Sequence, residues 1–218
     1  MIAVIAAMEK EANALLSVST PLQKYRRYGK EITEGELNGI PYTLVLSGIG
    51  KTNAAAAAML ALALGADKIL NIGVAGGLTP RAKIGAVLQI EKAAQYDFDL
   101  SSINGTPVGT LDEYQSPYFP LACRTNSFVK GILATGDRFG CGNQDDGVLR
   151  ALKADVRDME GAAIAHIAYA AGVPCFQFKA ISDNAGENSV KEYRENLQTA
   201  LSALAGHMAE IFDEVLHG

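Results

Sequence analysis

The sequence predicts one α/β domain over residues 1–218, and three observations carry the prediction. Short apolar runs that read as buried strands alternate with helical stretches, the pattern of a layered α/β domain. The composition is globular, with 49% hydrophobic and 20% charged residues, which excludes disordered, collagen-like and coiled-coil chains. No linker, internal repeat or low-complexity tract divides the chain. A domain of this size buries roughly 70% of its unfolded surface, enough for a core without staples.

The elements follow in order. Ile2–Ala7 is a buried strand, followed by a helical stretch through Glu11 and Leu15. Glu31–Leu37 and Ile40–Leu46 flank Asn38-Gly39, a two-residue hairpin signal. Ser47-Gly48-Ile49-Gly50 leads into a helix from Thr52 to Leu64, stopped by Gly65. Lys68–Gly73 is a buried strand broken by Gly76-Gly77, and Ala86–Ile90 and Gly131–Ala134 are further strands. Between those two, scattered Gly, Pro, Ser and Tyr carry no period. Glu160–Ala171 is apolar on nearly every face and stops at Gly172 and Pro174, so it is a buried helix. Cys175–Ile181 is a strand. Ser189 and Glu192 form a capping box for one last helix, with an apolar stripe Tyr193, Leu197, Leu201, Leu204, Met208, Ile211 and Val215. In such a layered domain, ligands bind at the C-terminal ends of the strands.

Charge and composition narrow the function classes. Nineteen basic residues face 24 acidic ones, a net charge of −5, and no basic run exceeds Arg26-Arg27. That argues against a nucleic-acid partner and for a small molecule. Cys123, Cys141 and Cys175 are widely spaced and, with His166, His207 and His217, build neither a disulfide framework nor a metal site. His166 reads as a packed core histidine. No cofactor is expected. The apolar run Ile2–Met8 lacks a basic flank, and Ala54–Leu64 is too short for a bilayer, so a cytoplasmic location without membrane partner is expected. Gly50-Lys51-Thr52 lacks the glycine of a P-loop five positions earlier, where Val45 stands. Gly48-Ile49-Gly50 has Asn53 where a dinucleotide fingerprint needs its third glycine. Lys51 opens a helix where the dipole disfavours a cation, which points to an acidic neighbour.

Carboxylates at element ends are the informative acids. Asp183 follows a strand, Asp158-Met159-Glu160 opens the apolar helix, and Glu11 lies one turn past the first strand. Each reaches solvent, caps a helix or serves chemistry, because an unpaired buried carboxylate is costly. The residues alone leave these readings open.

Six stretches in order carry a resemblance: Ala7-Met8-Glu9-Lys10-Glu11, Ser47-Gly48-Ile49-Gly50-Lys51, Gly73-Val74-Ala75-Gly76-Gly77-Leu78, Thr135-Gly136-Asp137, Asp158-Met159-Glu160-Gly161-Ala162-Ala163 and Lys179-Ala180-Ile181-Ser182-Asp183. Together they resemble the nucleoside phosphorylase and nucleosidase superfamily, above all the 5'-methylthioadenosine/S-adenosylhomocysteine nucleosidases. The resemblance weakens between Asp99 and Lys130. It implies a mixed, twisted central sheet flanked by helices, a homodimer, and cleavage between adenine N9 and ribose C1'. It assigns water activation to Glu11 and purine protonation to Asp183. Met159 and Glu160 hold the ribose, Phe139 stacks on the base, and Met8, Ile49 and Tyr193 line the 5' pocket. Gly76, Ser182 and the cation Lys179 complete the substrate-binding set.

Departures from the family's pattern are also visible. Val74 stands where these hydrolases usually carry a hydroxyl, and Asn71 where phosphorylases carry an arginine, which favours hydrolysis over phosphorolysis. Residues 120–129 lack a helix that typical members have. The alternatives are a futalosine-type nucleosidase with a bulky aromatic 5' group, then a purine nucleoside phosphorylase, then a nucleoside-binding module without catalysis.

Overall fold

The structure, a computed structural model, describes residues 1–124, 127–139, 143–186 and 188–217. Its centre is β1 (Ile2–Ala6), every residue of which is buried. On one side β1 runs parallel to β4 (Ile40–Leu46), on the other parallel to β5 (Lys68–Gly77). Strands covered on both faces read as continuous apolar runs, which is why these were legible. β3 (Lys30–Leu37) pairs antiparallel with β4 through the Asn38-Gly39 turn, both of whose residues have positive φ (51° and 79°). That is the twist a two-residue hairpin requires.

Beyond β5 the sheet closes on itself. β10 (Cys175–Asp183) is parallel to β5 and antiparallel to β6 (Val87–Gln95). β6 is parallel to β8 (Val129–Thr135), β8 is parallel to β9 (Val156–Asp158), and β9 returns antiparallel to β5. The sheet is therefore mixed, with β5, β10, β6, β8 and β9 forming a ring. The short β7 (Phe119–Pro120) lies against β6.

Helices cover both faces. α1 (Glu9–Leu16), α6 (Ser189–Gly206) and α7 (Met208–His217) supply Leu15, Leu204, Ile211 and Phe212 to one core with Val4, Leu70 and Phe178. α2 (Lys51–Ala63) and α5 (Gly161–Ala170) supply Ala57, Ala58, Ile164 and Ala168 to the other, with Ile5 and Ile69. The cores are rich in alanine on the α2–α5 side, so those helices lie close to the sheet. Two short helices, α3 (Ser101–Asn104) and α4 (Asp146–Ala151), complete the set.

Several expectations change. β5 is not broken at Gly76-Gly77: both glycines stay in the ladder opposite Arg157 and Val156, and a side chain at Gly77 would overlap the Ala82 carbonyl. β2 (Thr20–Arg27) was missed because it is a polar edge strand exposed along most of its length. β9 was missed because two of its three residues are charged. The last helix is two, divided at His207, yet the apolar stripe runs on through Met208, Ile211 and Val215. Asn188, not Ser189, precedes α6, and Glu192 instead accepts from the Asn184 N–H at 2.8 Å. Among the described residues of 120–129 no helix forms. His166 is half-buried, stacked on Phe119 with ring centres 4.8 Å apart. Cys123 and Cys175 are free thiols, and Cys141 lies outside the described residues.

Candidate active site

Chain direction builds the site. The C-terminal ends of the mutually parallel strands β1, β4, β5 and β10 lie on one side of the sheet. The segments that follow them line a cavity together with those that follow β8 and β9, which run the opposite way. The cavity between them measures about 280 Å³. Its wall includes Met8 and Glu11 after β1, Ile49 after β4, Val74 to Gly76 on β5 and Phe139 after β8. Met159 and Glu160 after β9, Ser182 and Asp183 on β10, and Tyr193 on α6 complete it. Ten of the eleven residues singled out in the sequence thus line one cavity. The exception is Lys179, expected against the substrate but 2% exposed and set behind the wall.

Glu11 is not a solvated helix charge. It is 3% exposed and accepts three backbone N–H bonds, from Ala7 (3.0 Å), Met8 (2.9 Å) and Val74 (2.8 Å). The Met8 bond closes the first turn of α1 from its third position. Burial pushes the carboxyl above the ordinary carboxylate range, against the opposing Lys179 charge and these N–H donors. Gly73 makes the approach possible: a Cβ there would sit 2.6 Å from Glu11 Oε1 and 3.5 Å from Lys179 Nζ.

Behind Glu11, Lys179 Nζ pairs with Asp158 Oδ2 at 2.9 Å. Burial alone would draw its ammonium down, but the surrounding Asp158, Glu11 and Glu160 outweigh it and hold the lysine above its usual value. Asp158 also accepts from the Gly161 N–H (2.9 Å) and the Thr135 hydroxyl, fixing the turn into α5. Glu160 stands at the N-cap position of α5 without a side-chain bond to that helix, and its Oε1 accepts from the Gly50 N–H at 2.8 Å. Burial and the Asp158 charge push its carboxyl up to about 8.

Asp183 lines the same cavity. Its Oδ1 accepts from the Ala185 N–H (2.8 Å) and its Oδ2 from the Ser182 hydroxyl (2.9 Å). Burial raises its carboxyl in spite of those bonds. Gly76 stands beside it, where a Cβ would come within 2.9 Å of Asp183 Oδ1. Phe139 leans edge-on against Tyr193 with ring centres 5.6 Å apart, and the Tyr193 hydroxyl faces Met8 Sδ at 3.6 Å.

The acidic neighbour that Lys51 calls for is Asp97, 2.6 Å from its Nζ. Asp97 also accepts from the Asp137 N–H, and Asp137 accepts from the Lys51 N–H at 2.7 Å. This triangle ties the Phe139 segment to the start of α2. Val74 needs no hydroxyl for its contact with Glu11, because the backbone N–H makes it. Asn71 does not reach the cavity: it is buried in β5 and donates to the Ile5 carbonyl at 3.0 Å.

Two charged wall residues, Arg138 and Arg157, are not announced by the sequence. Both sit beside unreadable strand signals, and nothing in a charged pair of positions announces that one is buried.

The chain as a whole is similar to known proteins. Residues 1–216 match the phosphorylase superfamily. The chain belongs to that superfamily. It is 32% identical over 207 residues to the aminodeoxyfutalosine nucleosidase of Campylobacter jejuni, covering 89% of this chain and 90% of that one. Among solved structures it is similar to the 5'-methylthioadenosine/S-adenosylhomocysteine nucleosidase of Neisseria meningitidis in complex with methylthio-immucillin-A. The TM-score is 0.87 at 30% identity, over 97% of each chain. It is also similar to the futalosine hydrolase of Helicobacter pylori, with a TM-score of 0.88 at 26% identity, over 98% of this chain and 97% of that one. Within the phosphorylase superfamily the chain is a nucleosidase, an enzyme that hydrolyses an N-glycosidic bond.

Proposed function

We propose that this nucleosidase hydrolyses 5'-substituted adenine nucleosides, 5'-methylthioadenosine or S-adenosylhomocysteine, releasing adenine. The observation that carries the reading is the pair of buried carboxyls, Glu11 and Asp183, that line one cavity. Asp183, held by the Ala185 N–H and the Ser182 hydroxyl, supplies the proton that purine N7 takes as the C1'–N9 bond breaks. The bond pair leaves with the base. Ribose C1' becomes electron-poor, and the carboxyls around Lys179 favour positive charge there. A water attacks C1' from the other side and gives its proton to Glu11, the arrangement of an inverting glycosidase with a ring nitrogen as leaving atom. Glu160, aimed into the cavity from its helix cap, accepts from the ribose hydroxyls beside Met159, and Phe139 stacks on the base.

Lys179 serves the reaction from behind the wall. It balances Glu11 and Asp158 at a site where three carboxyls would otherwise repel. Asn71 puts no cation where phosphorylases carry an arginine, its amide being used on the Ile5 carbonyl, which supports water as the acceptor.

A second reading concerns the 5' group. Ile49 is 52% exposed and, with Met159, also borders a neighbouring cavity of about 310 Å³ lined by Lys51, Thr52, Asn53 and Asp137. That space favours a larger, more polar 5' substituent, of the kind in aminodeoxyfutalosine. Incubation with 5'-methylthioadenosine, S-adenosylhomocysteine, aminodeoxyfutalosine and futalosine, followed by chromatography of the freed base, ranks the two readings by kcat/KM. A homodimer is part of the proposal, to be checked by light scattering.

A further inference from the structure

Asp183, Gly76 and Arg157 stand in one row across three neighbouring strands: Asp183 on β10 is in register with Gly76 on β5, which is in register with Arg157 on β9. At the usual strand spacing the two outer Cα atoms are about 10 Å apart. Gly76 has no side chain, and the place of a Cβ there is taken by Ala185 Cβ and Asp183 Oδ1, each 2.9 Å away. Arg157 lines this cavity and is 6% exposed.

Its guanidinium is held from one end. Nη2 donates to the Tyr96 hydroxyl, to the Arg138 carbonyl at 3.3 Å and to Asp145 Oδ2 at 3.5 Å. The plane lies over the Tyr96 ring, 5.0 Å from its centre. No bond from Nε or Nη1 to a described residue is present, and neither is a buried atom left without a partner. A guanidinium on a cavity wall carries further N–H donors that a bound ligand can use. The cluster of Arg157, Arg138 and Asp145 carries two cations and one carboxylate. Around Glu11 the balance is opposite, with Glu11, Asp158 and Glu160 grouped about Lys179.

The cavity is therefore electrically polarised, and the proposed reaction separates charge along the same direction. Breaking C1'–N9 leaves C1' positive and sends the bond pair into the purine, which gains negative charge on its ring nitrogens before and while N7 takes the Asp183 proton. We propose that Arg157 is a catalytic residue, donating from Nε and Nη1 to the purine ring and stabilising the charge of the departing base. The proposal rests on the reading of this cavity as a nucleoside-cleaving site. The balance is unchanged by it: water oxygen bonds C1', one water proton goes to Glu11, the Asp183 proton goes to the base, and Arg157 keeps all its protons. Fixed donors aimed at developing charge act in the transition state more than in the ground state, so they appear in kcat.

The test compares wild type, Arg157→Met and Arg157→Lys on 5'-methylthioadenosine and on its 6-chloropurine counterpart, whose base is the more stable anion and leaves more easily. Arg157→Met is expected to lose about 10–100-fold in kcat on the adenine substrate, several-fold less on the 6-chloropurine, with KM little changed. Arg157→Lys, which keeps the charge, is expected to recover most of the loss. An equal loss on both bases, or a loss confined to KM, overturns the role. So does unchanged turnover in Arg157→Met. If Arg157→Met shows no cooperative melting, Arg157→Leu, neutral and without a donor, replaces it with the same expected and contrary results. A wild type that cleaves neither nucleoside overturns the proposed function itself, whereas an active wild type with an indifferent Arg157 overturns this role alone.

Discussion

Val74 donates its backbone N–H to Glu11 Oε1 at 2.8 Å, so the residue after Gly73 holds the candidate base without using its side chain. A hydroxyl-bearing residue at this position could add a bond to water, but valine already completes the carboxylate's cradle. Gly73 and Val74 thus act as one unit: the first leaves room for Glu11, and the second fixes it.

Gly73→Ala tests that unit. The new Cβ would stand 2.6 Å from Glu11 Oε1, so the carboxylate must turn away and lose the Val74 bond. A displacement near 1 Å costs about 10²-fold in turnover, and the overpacking costs about 1–3 kcal/mol of stability. Steady-state kinetics with thermal melting measures both. Unaltered kcat would show that Glu11 needs no fixed position.

Glu11→Gln and Asp183→Asn each keep shape and lose a proton function. Both are expected to reduce kcat by ~10²–10⁴-fold while still binding a non-hydrolysable nucleoside analogue. Calorimetry with the analogue separates chemistry from binding. Near-normal turnover of either variant would move that role to another group.

Glu160 gives a pH dependence with a defined sign. Its carboxyl is harder to ionise in the fold, at about 8, than in the unfolded chain. Between about pH 4.5 and 8 the folded state therefore binds more protons, and stability falls as pH rises, levelling off above 8. Glu11 and Asp183 shift in the same direction. Glu160→Gln should flatten the upper part of this fall, read as melting temperature from pH 6 to 9. A variant whose melting follows the wild-type pH curve would contradict the placement of that carboxyl.

The 5' pocket predicts a preference. Met8, Ile49 and Tyr193 present an apolar wall with the Tyr193 hydroxyl turned to Met8 sulfur. A methylthio group should gain ~1–3 kcal/mol in kcat/KM over the 5'-hydroxyl of adenosine. Equal values, or a preference for adenosine, would mean that the wall does not meet the 5' carbon.

The parts of this site that were legible share a physical cause. Glu11, Glu160 and Asp183 each follow an apolar run, and a carboxylate at the end of a buried element needs a reason to be there. Asn38-Gly39 and Gly65 announced a turn and a stop because few other residues tolerate their backbone angles. Arg157 and β9 were not legible, because their burial depends on Tyr96 and Asp145, distant in sequence. Lys179 was placed near the substrate, yet its pairing with Asp158 across two strands draws it behind the wall. The break expected at Gly76-Gly77 failed because close neighbours, not the turn, require those glycines.

The most direct test of the account is incubation of the protein with 5'-methylthioadenosine, with and without inorganic phosphate, followed by chromatography of base and sugar. The account predicts adenine and free 5-methylthioribose at the same rate in both. No adenine, or a sugar 1-phosphate formed only when phosphate is present, would contradict it.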